Sequence, residues 1–492
     1  MAAVVTGWLG LLAILPNGLD VQWQGVRFLS YPSWTQWWSP SQPVMTAQAA
    51  EDWVEKLQDL SANDAALDSV VRSIPDRHSL DSATGMPQGE SAQLKSPVAV
   101  DGLDSIPFLV ADMEARQAML NFFRLCADTT RDLANGKPIH VFHFGDSQIE
   151  GDRFTSIIRE EFQRHFGGSG PGWLSVSPPS PTLTVNLAVA HPNLWRRETR
   201  FMTPDSLIED ERFGWLASRS SCDSAGTVQV RVHPRASLGA RTWNRFELHL
   251  DSSSLPLPLQ WQAEKQSIWH DTLIPPSADV RKVVWLKDSL PMPHQLRFPL
   301  GVNHLLGAGL WSQEPGVIVH NIPMRGSSGT LFRKLDAEVL AQQVQSCPAH
   351  LVILQYGGNA VPYLKDVEAA ERYGRWFGRN IQRIRELMPH AAFVIISNAD
   401  MAENVEGQWL TKPMVPIMRD ALLRVAEREH AVFFDLFEAM GGQHSMAGWV
   451  KTNPPLAGAD HIHFTRRGSN VLAKLFMESL FQLQSDAHDP SL

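Results

Sequence analysis

Ile139-His140-Val141-Phe142-His143-Phe144-Gly145-Asp146-Ser147-Gln148 is a short apolar run that stops at a glycine-led polar turn. A run of that length, apolar without clean alternation, belongs to a strand covered on both faces. Beyond the turn, Phe154, Ile157, Ile158 and Phe162 recur at helical spacing, with Asp152 placed to cap that helix. Strand, tight turn and helix in this order are the opening unit of a parallel α/β fold.

Working outward, Met113 to Leu133 reads as a helix with Met119, Leu120, Phe123 and Leu125 on its apolar side, ended by Gly136-Lys137-Pro138. After residue 171 the period changes. Leu183, Val185, Leu187 and Val189 alternate, as do Val228, Val230 and Val232, then Phe246, Leu248 and Leu250. Period two between Ser, Pro and Gly clusters predicts antiparallel strands, which a sandwich buries most simply. From Val317-Ile318-Val319 the α/β pattern returns. Strands at 351–354, 393–396 and 432–434 alternate with helices expected over 330–345, 366–387, 413–429 and 465–483. The β region therefore interrupts the α/β domain between its first and second parallel strands.

The chain has 492 residues, 43% hydrophobic and 19% charged, with a formal net charge of -9. That is an ordinary globular mixture with ample length for a core. The acidic balance argues against a chain built to coat nucleic acid. Cys126, Cys222 and Cys347 form no C-x-x-C, and an odd count cannot form a fully paired framework. Three buried thiols, or one bridge and a thiol, both remain open.

Met1 to Leu15 is almost wholly apolar, shorter than a spanning helix needs, and lacks a basic leader. It reads as a signal anchor, as an interfacial segment helped by Trp23, Trp34, Trp37 and Trp38, or as an ordinary buried helix. The expected organisation is an N-terminal segment at 1–16, a membrane-proximal linker with short helices at 17–108, an α/β domain at 109–170 and 316–485, a β-sandwich at 171–315, and a tail at 486–492.

Active residues of an open parallel sheet gather beyond the carboxyl ends of its strands. Four segments stand there or just before the last helix: Gly145-Asp146-Ser147-Gln148, Asn321 to Gly329, Gly357-Gly358-Asn359, and Asp460-His461-Ile462-His463. They supply the parts that acyl transfer requires. Ser147 is a nucleophile once a base takes its proton, His463 can be that base because an unperturbed imidazole titrates near neutrality, and Asp460 can hold the imidazole in the right tautomer. The backbone N–H of Ser147, the backbone N–H of Gly326 and the side-chain amide of Asn359 are the candidate oxyanion donors. Gly329 is the alternative to Gly326. His461 and His463 form an H-x-H pair, but no third ligand stands at metal-site spacing. Gly167 to Gly172 lacks the Lys-Ser/Thr of a phosphate loop, and no G-x-S-x-G elbow exists.

These four blocks resemble the SGNH hydrolases, also called GDSL esterases. Phe144 to Glu150, Phe154-Thr155 and Phe166 to Trp173 are similar to bacterial envelope esterases of the peptidoglycan O-acetylesterase type. The resemblance spans about residues 110 to 485. It implies an α/β fold, a flavodoxin-like parallel sheet sandwiched by helices, with an inserted antiparallel β-sandwich, carbohydrate-binding-like module. It further implies Ser147, Asp460 and His463 as the catalytic set and Ser147, Gly326 and Asn359 as the oxyanion hole. No metal or organic cofactor follows from it. The implied substrate is an O-acetylated glycan, in a bacterial envelope, periplasmic and membrane-associated through the N-terminus. Gln148 departs from the Leu of the namesake motif, and the family pattern does not explain Arg325. A polysaccharide O-acetyltransferase using the same site, and a non-catalytic glycan-binding protein, are the rival readings. The β region's Trp173, Trp195, Trp215, Trp243, Trp261, Trp269, Trp285 and Trp311 are expected mostly in its core, with one or two left to a glycan surface.

Overall fold

The computed structural model describes residues 19–23, 26–31, 108–131, 136–176, 178, 182, 184–287, 292–345 and 347–485. The apolar run at 1–15, the short helices expected between Val54 and Val70, Leu183 and the tail at 486–492 lie outside them. Met1–Thr46 with Glu403–Leu410 form one unit, and Ala47–Ala402 with Thr411–Leu492 a second. In the first, Leu19–Trp23 and Val26–Tyr31 pair as an antiparallel hairpin where a linker was expected. The fold described next belongs to the second. No helix among the described residues is long and apolar enough to cross a membrane.

Six strands build the main sheet: β1 (Leu109–Val110), β2 (Pro138–Gly145), β3 (Gly316–Pro323), β4 (Ala349–Gln355), β5 (Ala392–Ile396) and β6 (Val432–Phe434), in the order β3-β2-β4-β5-β6-β1. β2 to β6 run parallel, and only the edge strand β1 is antiparallel. Among the parallel strands this is the 2-1-3-4-5 order of flavodoxin-like sheets, whose crevice opens beside the first strand. Every residue from Ile139 to Gly145 is buried, because helices cover both faces.

The helices are α1 (Met113–Arg131), α2 (Thr155–Phe166), α3 (Ala337–Val344), α4 (Val367–Leu387), α5 (Met414–Arg428) and α6 (Arg466–Ser485). Phe142, Phe144, Val352 and Leu354 share a buried cluster with Phe377 and Ile381 of α4 and Met418 of α5. On the other face His143 meets Phe154, while Phe434 of β6 meets Phe476 of α6.

Three local readings need correction. Asp152 does not cap α2. It lies in a short 3-10 turn, and its carboxylate accepts from Arg159 Nη1 at 2.6 Å and Thr184 Oγ1 at 2.8 Å. A buried guanidinium outcompetes a terminal amide for that charge. Leu125 is 40% exposed, since the buried side of α1 runs through Ala115, Met119, Phe122, Phe123 and Cys126. The helix expected from 330 starts only at Ala337, where Asp336 Oδ1 accepts the Glu338 and Val339 amides.

Between α2 and β3 the chain forms two antiparallel sheets. One orders the strands Arg281–Leu286, Arg245–Leu250, Val302–Trp311, Ser218–Cys222 and Trp195–Thr199, with Gly172–Leu174 also on Val302–Trp311. The other orders His270–Ile274, Leu257–Ala263, Pro293–Phe298, Gly226–Val232 and Val185–Val189. Phe246, Leu248, Trp261, Val230 and Leu296 contribute to one core shared by both sheets. The strand at 245–250 keeps its alternation, yet its second face is also buried. Its His249 Nδ1 lies 3.3 Å from Gln343 Nε2 of α3, and Trp215 Nε1 donates to Leu340 O at 3.0 Å. Cys126, Cys222 and Cys347 are free and buried.

Arg159 is 1% exposed and also donates to the carbonyls of Pro171 and Val319. Replacing it by Met should strand a buried Asp152 carboxylate. The expected loss is about 3–5 kcal/mol of unfolding free energy, read from a denaturant titration.

Candidate active site

Parallel register decides what lies together at the carboxyl edge. Gly145 of β2 stands opposite Pro323 of β3 and Gln355 of β4. The turns carrying Ser147, Gly326 and Asn359 therefore leave the sheet side by side. Met324 N–H donates to Gly145 O at 2.7 Å, and Asn359 Nδ2 donates to Ser327 O at 3.1 Å.

Ser147 Oγ lies 2.8 Å from His463 Nε2, across 316 residues of sequence. His463 Nδ1 lies 2.7 Å from Asp460 Oδ2. A carboxylate there can only accept, so Nδ1 carries the proton and Nε2 presents a lone pair to the serine hydroxyl. Asp460 Oδ1 accepts the amides of Ile462 at 3.1 Å and His463 at 3.0 Å. Burial opposes its charge, but the His463 ring and these two amides hold the carboxylate well below its ordinary range. The structure thus brings Ser147, His463 and Asp460 into one hydrogen-bonded chain.

A cleft of about 200 Å³ opens over this chain, lined among others by Ser147, Gln148, Asn359, Tyr363, Met401 and His463. Asn359 faces it with an amide already engaged, because Nδ2 also donates to Asp146 Oδ2 at 3.1 Å. Burial pushes the Asp146 carboxyl up to about 6, partly offset by the Gln148 amide that it accepts. Gly326 sits in the turn adjoining the cleft, and neither its N–H nor that of Ser147 has a backbone acceptor among the described residues. Gly329 is a different kind of glycine. A Cβ there would sit 2.7 Å from the Tyr356 ring and 2.8 Å from the Phe377 ring, whereas one on Gly326 would meet nothing within 4 Å.

Sequence reasoning missed several contacts. Arg325 Nε donates to both carboxylate oxygens of Glu150 at 3.0 Å, tying the Gly326 turn to the serine turn. Gln148 and Arg153 bridge the serine turn to the histidine turn. Their acceptors are mostly backbone atoms, which leave no mark in a sequence. His461 is buried, whereas His463 is half-buried, and burial lowers the pKa of His461. Among the described residues no group of three or more His, Cys, Asp or Glu could hold a metal ion. Of the eight Trp residues of the β region, Trp173, Trp215, Trp261, Trp285 and Trp311 are buried. Trp195, Trp243 and Trp269 are half-buried.

No family model and no curated protein matches the sequence. Solved structures do match. A peptidoglycan O-acetylesterase superposes with a TM-score of 0.60 at 19% identity, over 77% of this chain and 99% of that one. This chain shares the fold of that esterase. The overlap takes in nearly all of that esterase, so the similarity is not confined to the parallel sheet. Looser matches are a family two carbohydrate esterase from Cellvibrio japonicus (12% identity, 61% of this chain, 98% of that one, TM-score 0.24) and an acetyl xylan esterase (16%, 33%, 81%, TM-score 0.26).

The two glycines separate in a stability measurement. Gly326 has φ of 77° and Gly329 of 74°, so Ala at either position carries a left-handed cost of about 1–2 kcal/mol. Gly329→Ala adds a clash with two buried rings. Its denaturation midpoint should fall clearly below that of Gly326→Ala.

Proposed function

We propose that this protein is a serine esterase that removes O-acetyl groups from a cell-envelope polysaccharide, with peptidoglycan as the foremost candidate. The observation that carries the reading is the chain from Ser147 Oγ through His463 to Asp460, at 2.8 and 2.7 Å, opening on a cleft. The esterase that shares the fold is named for peptidoglycan, which supports the choice of glycan.

The chemistry follows from the atoms. Ser147 Oγ attacks the acetyl carbonyl carbon while His463 Nε2 takes its proton. Asp460 stabilises the imidazolium and keeps its own charge. The oxyanion draws on the N–H groups of Ser147 and Gly326 and on the Asn359 amide, which must share one of its present partners. His463 then protonates the sugar oxygen as it leaves, giving an acetyl-enzyme. Water, deprotonated by His463, attacks that ester, and Ser147 regains its proton as acetate departs. These steps need no metal or organic cofactor. On the same reading the protein works in a bacterial envelope, periplasmic, with the apolar run at 1–15 holding it near the membrane and the β-sandwich serving the glycan.

Ser147→Ala should lower the hydrolysis of a simple acetyl ester by at least about 10³-fold. Full activity in that variant would remove Ser147 from the reaction. Asp460→Asn should lower kcat by about 10⁴-fold through the wrong histidine tautomer.

The ring of Tyr363 is 83% exposed at the cleft wall, a suitable face for a pyranose. Tyr363→Ala should raise KM for O-acetylated peptidoglycan by about 2–10-fold, the range that a stacked aromatic face commonly contributes. Turnover of a simple acetyl ester should not change. Steady-state kinetics on the two substrates checks both halves.

A further inference from the structure

A general base must be held against its nucleophile to within about 0.5 Å. Here the two side chains come from turns 316 residues apart, and His463 is part-exposed. Side chains of the serine turn join the histidine turn to it directly. Gln148 Nε2 donates to Ile462 O at 2.8 Å, and Gln148 Oε1 accepts the Phe464 N–H at 3.3 Å. One carboxamide therefore clasps the backbone on both sides of His463. Arg153 completes the arrangement. Its Nη1 donates to Phe464 O at 3.0 Å, its Nη2 to Ser147 O at 2.8 Å, and its Nε to Glu150 O at 2.9 Å. The guanidinium spans both turns with its planar fork, a geometry that Lys cannot copy.

We infer that Gln148 and Arg153 are positioning residues that set the Ser147–His463 distance by pinning the backbone at 462 and 464 to the serine turn. The inference rests on the proposed esterase reading. It gives Gln148, the position where the motif departs from leucine, a task that leucine could not perform. Both residues act through the backbone that carries His463, so losing them should leave binding of a small ester intact and slow the chemical step.

The test compares the full chain with Gln148→Leu, Arg153→Met and Ser147→Ala. Kinetics are measured on a simple acetyl ester, together with the rate constant for Ser147 labelling by a fluorophosphonate. Folding is checked by circular dichroism. A displacement approaching 1 Å costs about 10²-fold in rate. The expected result for both positioning variants is therefore a kcat lower by about 10–100-fold, KM within about twofold, and fluorophosphonate labelling slowed in parallel. Unchanged kcat in a folded Gln148→Leu, or a loss confined to KM, overturns the inference. If Arg153→Met fails to fold, Gln148→Leu decides alone. An active Ser147→Ala would instead overturn the esterase reading, so the two failures are distinct.

Discussion

Parallel pairing places Gly145 between Pro323 and Gln355, and the remainder of the site depends on that registration. In a flavodoxin-like sheet the first strand is flanked on both sides before the order reverses, so its carboxyl end meets two neighbouring loops at once. A one-residue slip of β2 would turn Phe142 and Phe144 out of their cluster and carry Ser147 away from both partner turns. The apolar burial that fixes the strand also fixes the hydroxyl. Burial thereby determines position at the site without touching the reacting atoms.

Three buried carboxyls around this frame each have a partner. Asp152 takes Arg159, and Glu150 takes Arg325. Asp146 takes the amides of Gln148 and Asn359 instead of a cation. Burial raises its carboxyl to about 6, offset in part by the Gln148 backbone amide and by the neighbouring His463 and Arg153. An anion directly behind Asn359 orients the amide nitrogen and its protons before any substrate arrives. Both of the amide's protons are engaged, one by Asp146 and one by Ser327 O, so on the proposed reading an oxyanion would share one of them. Asp460 likewise orients the other end of the chain, with its second oxygen held by the Ile462 and His463 amides. The Ser147–His463 pair therefore lies between two carboxylates with separate tasks.

The fold was legible in the sequence where burial has a period. Ile139 to Phe144, Leu351 to Leu354 and Phe393 to Ile396 read as strands because both of their faces are covered, and the structure covers them. Reading past the strand ends gathered Ser147 and Asn359 as candidates, and the turn just before the last helix supplied the Asp460–His463 pair. What escaped were contacts without a period. The Asp152 partner Thr184 comes from another element, and Arg325 reaches Glu150 across 175 residues. Gln148 looked like a mere departure from a motif because its partners are main-chain atoms about 314 residues away. In the strand at 245–250 the alternation of Phe246, Leu248 and Leu250 says nothing of the opposite face, where Glu247 and His249 are also buried, with His249 beside Gln343 of α3.

That covered face bears on how a polymer could reach the cleft. The β-sandwich rests on α3 through the Trp215 indole, Gln343 and His249, and Gly172–Leu174 joins its sheet immediately after the loop that leaves α2. A module attached by a flexible linker could bind glycan in any orientation. One whose tryptophans and buried polar groups lock into the neighbouring helix holds its outer surface in a fixed relation to the serine turn. Five buried indoles serve that rigidity and leave few aromatic faces outside; on the proposed reading, glycan specificity would fall to residues at the cleft wall and to a small set of half-buried rings. On that reading, affinity for a long chain would be spread over the module surface, while the fixed frame would leave the approach of a single acetyl group to the serine turn.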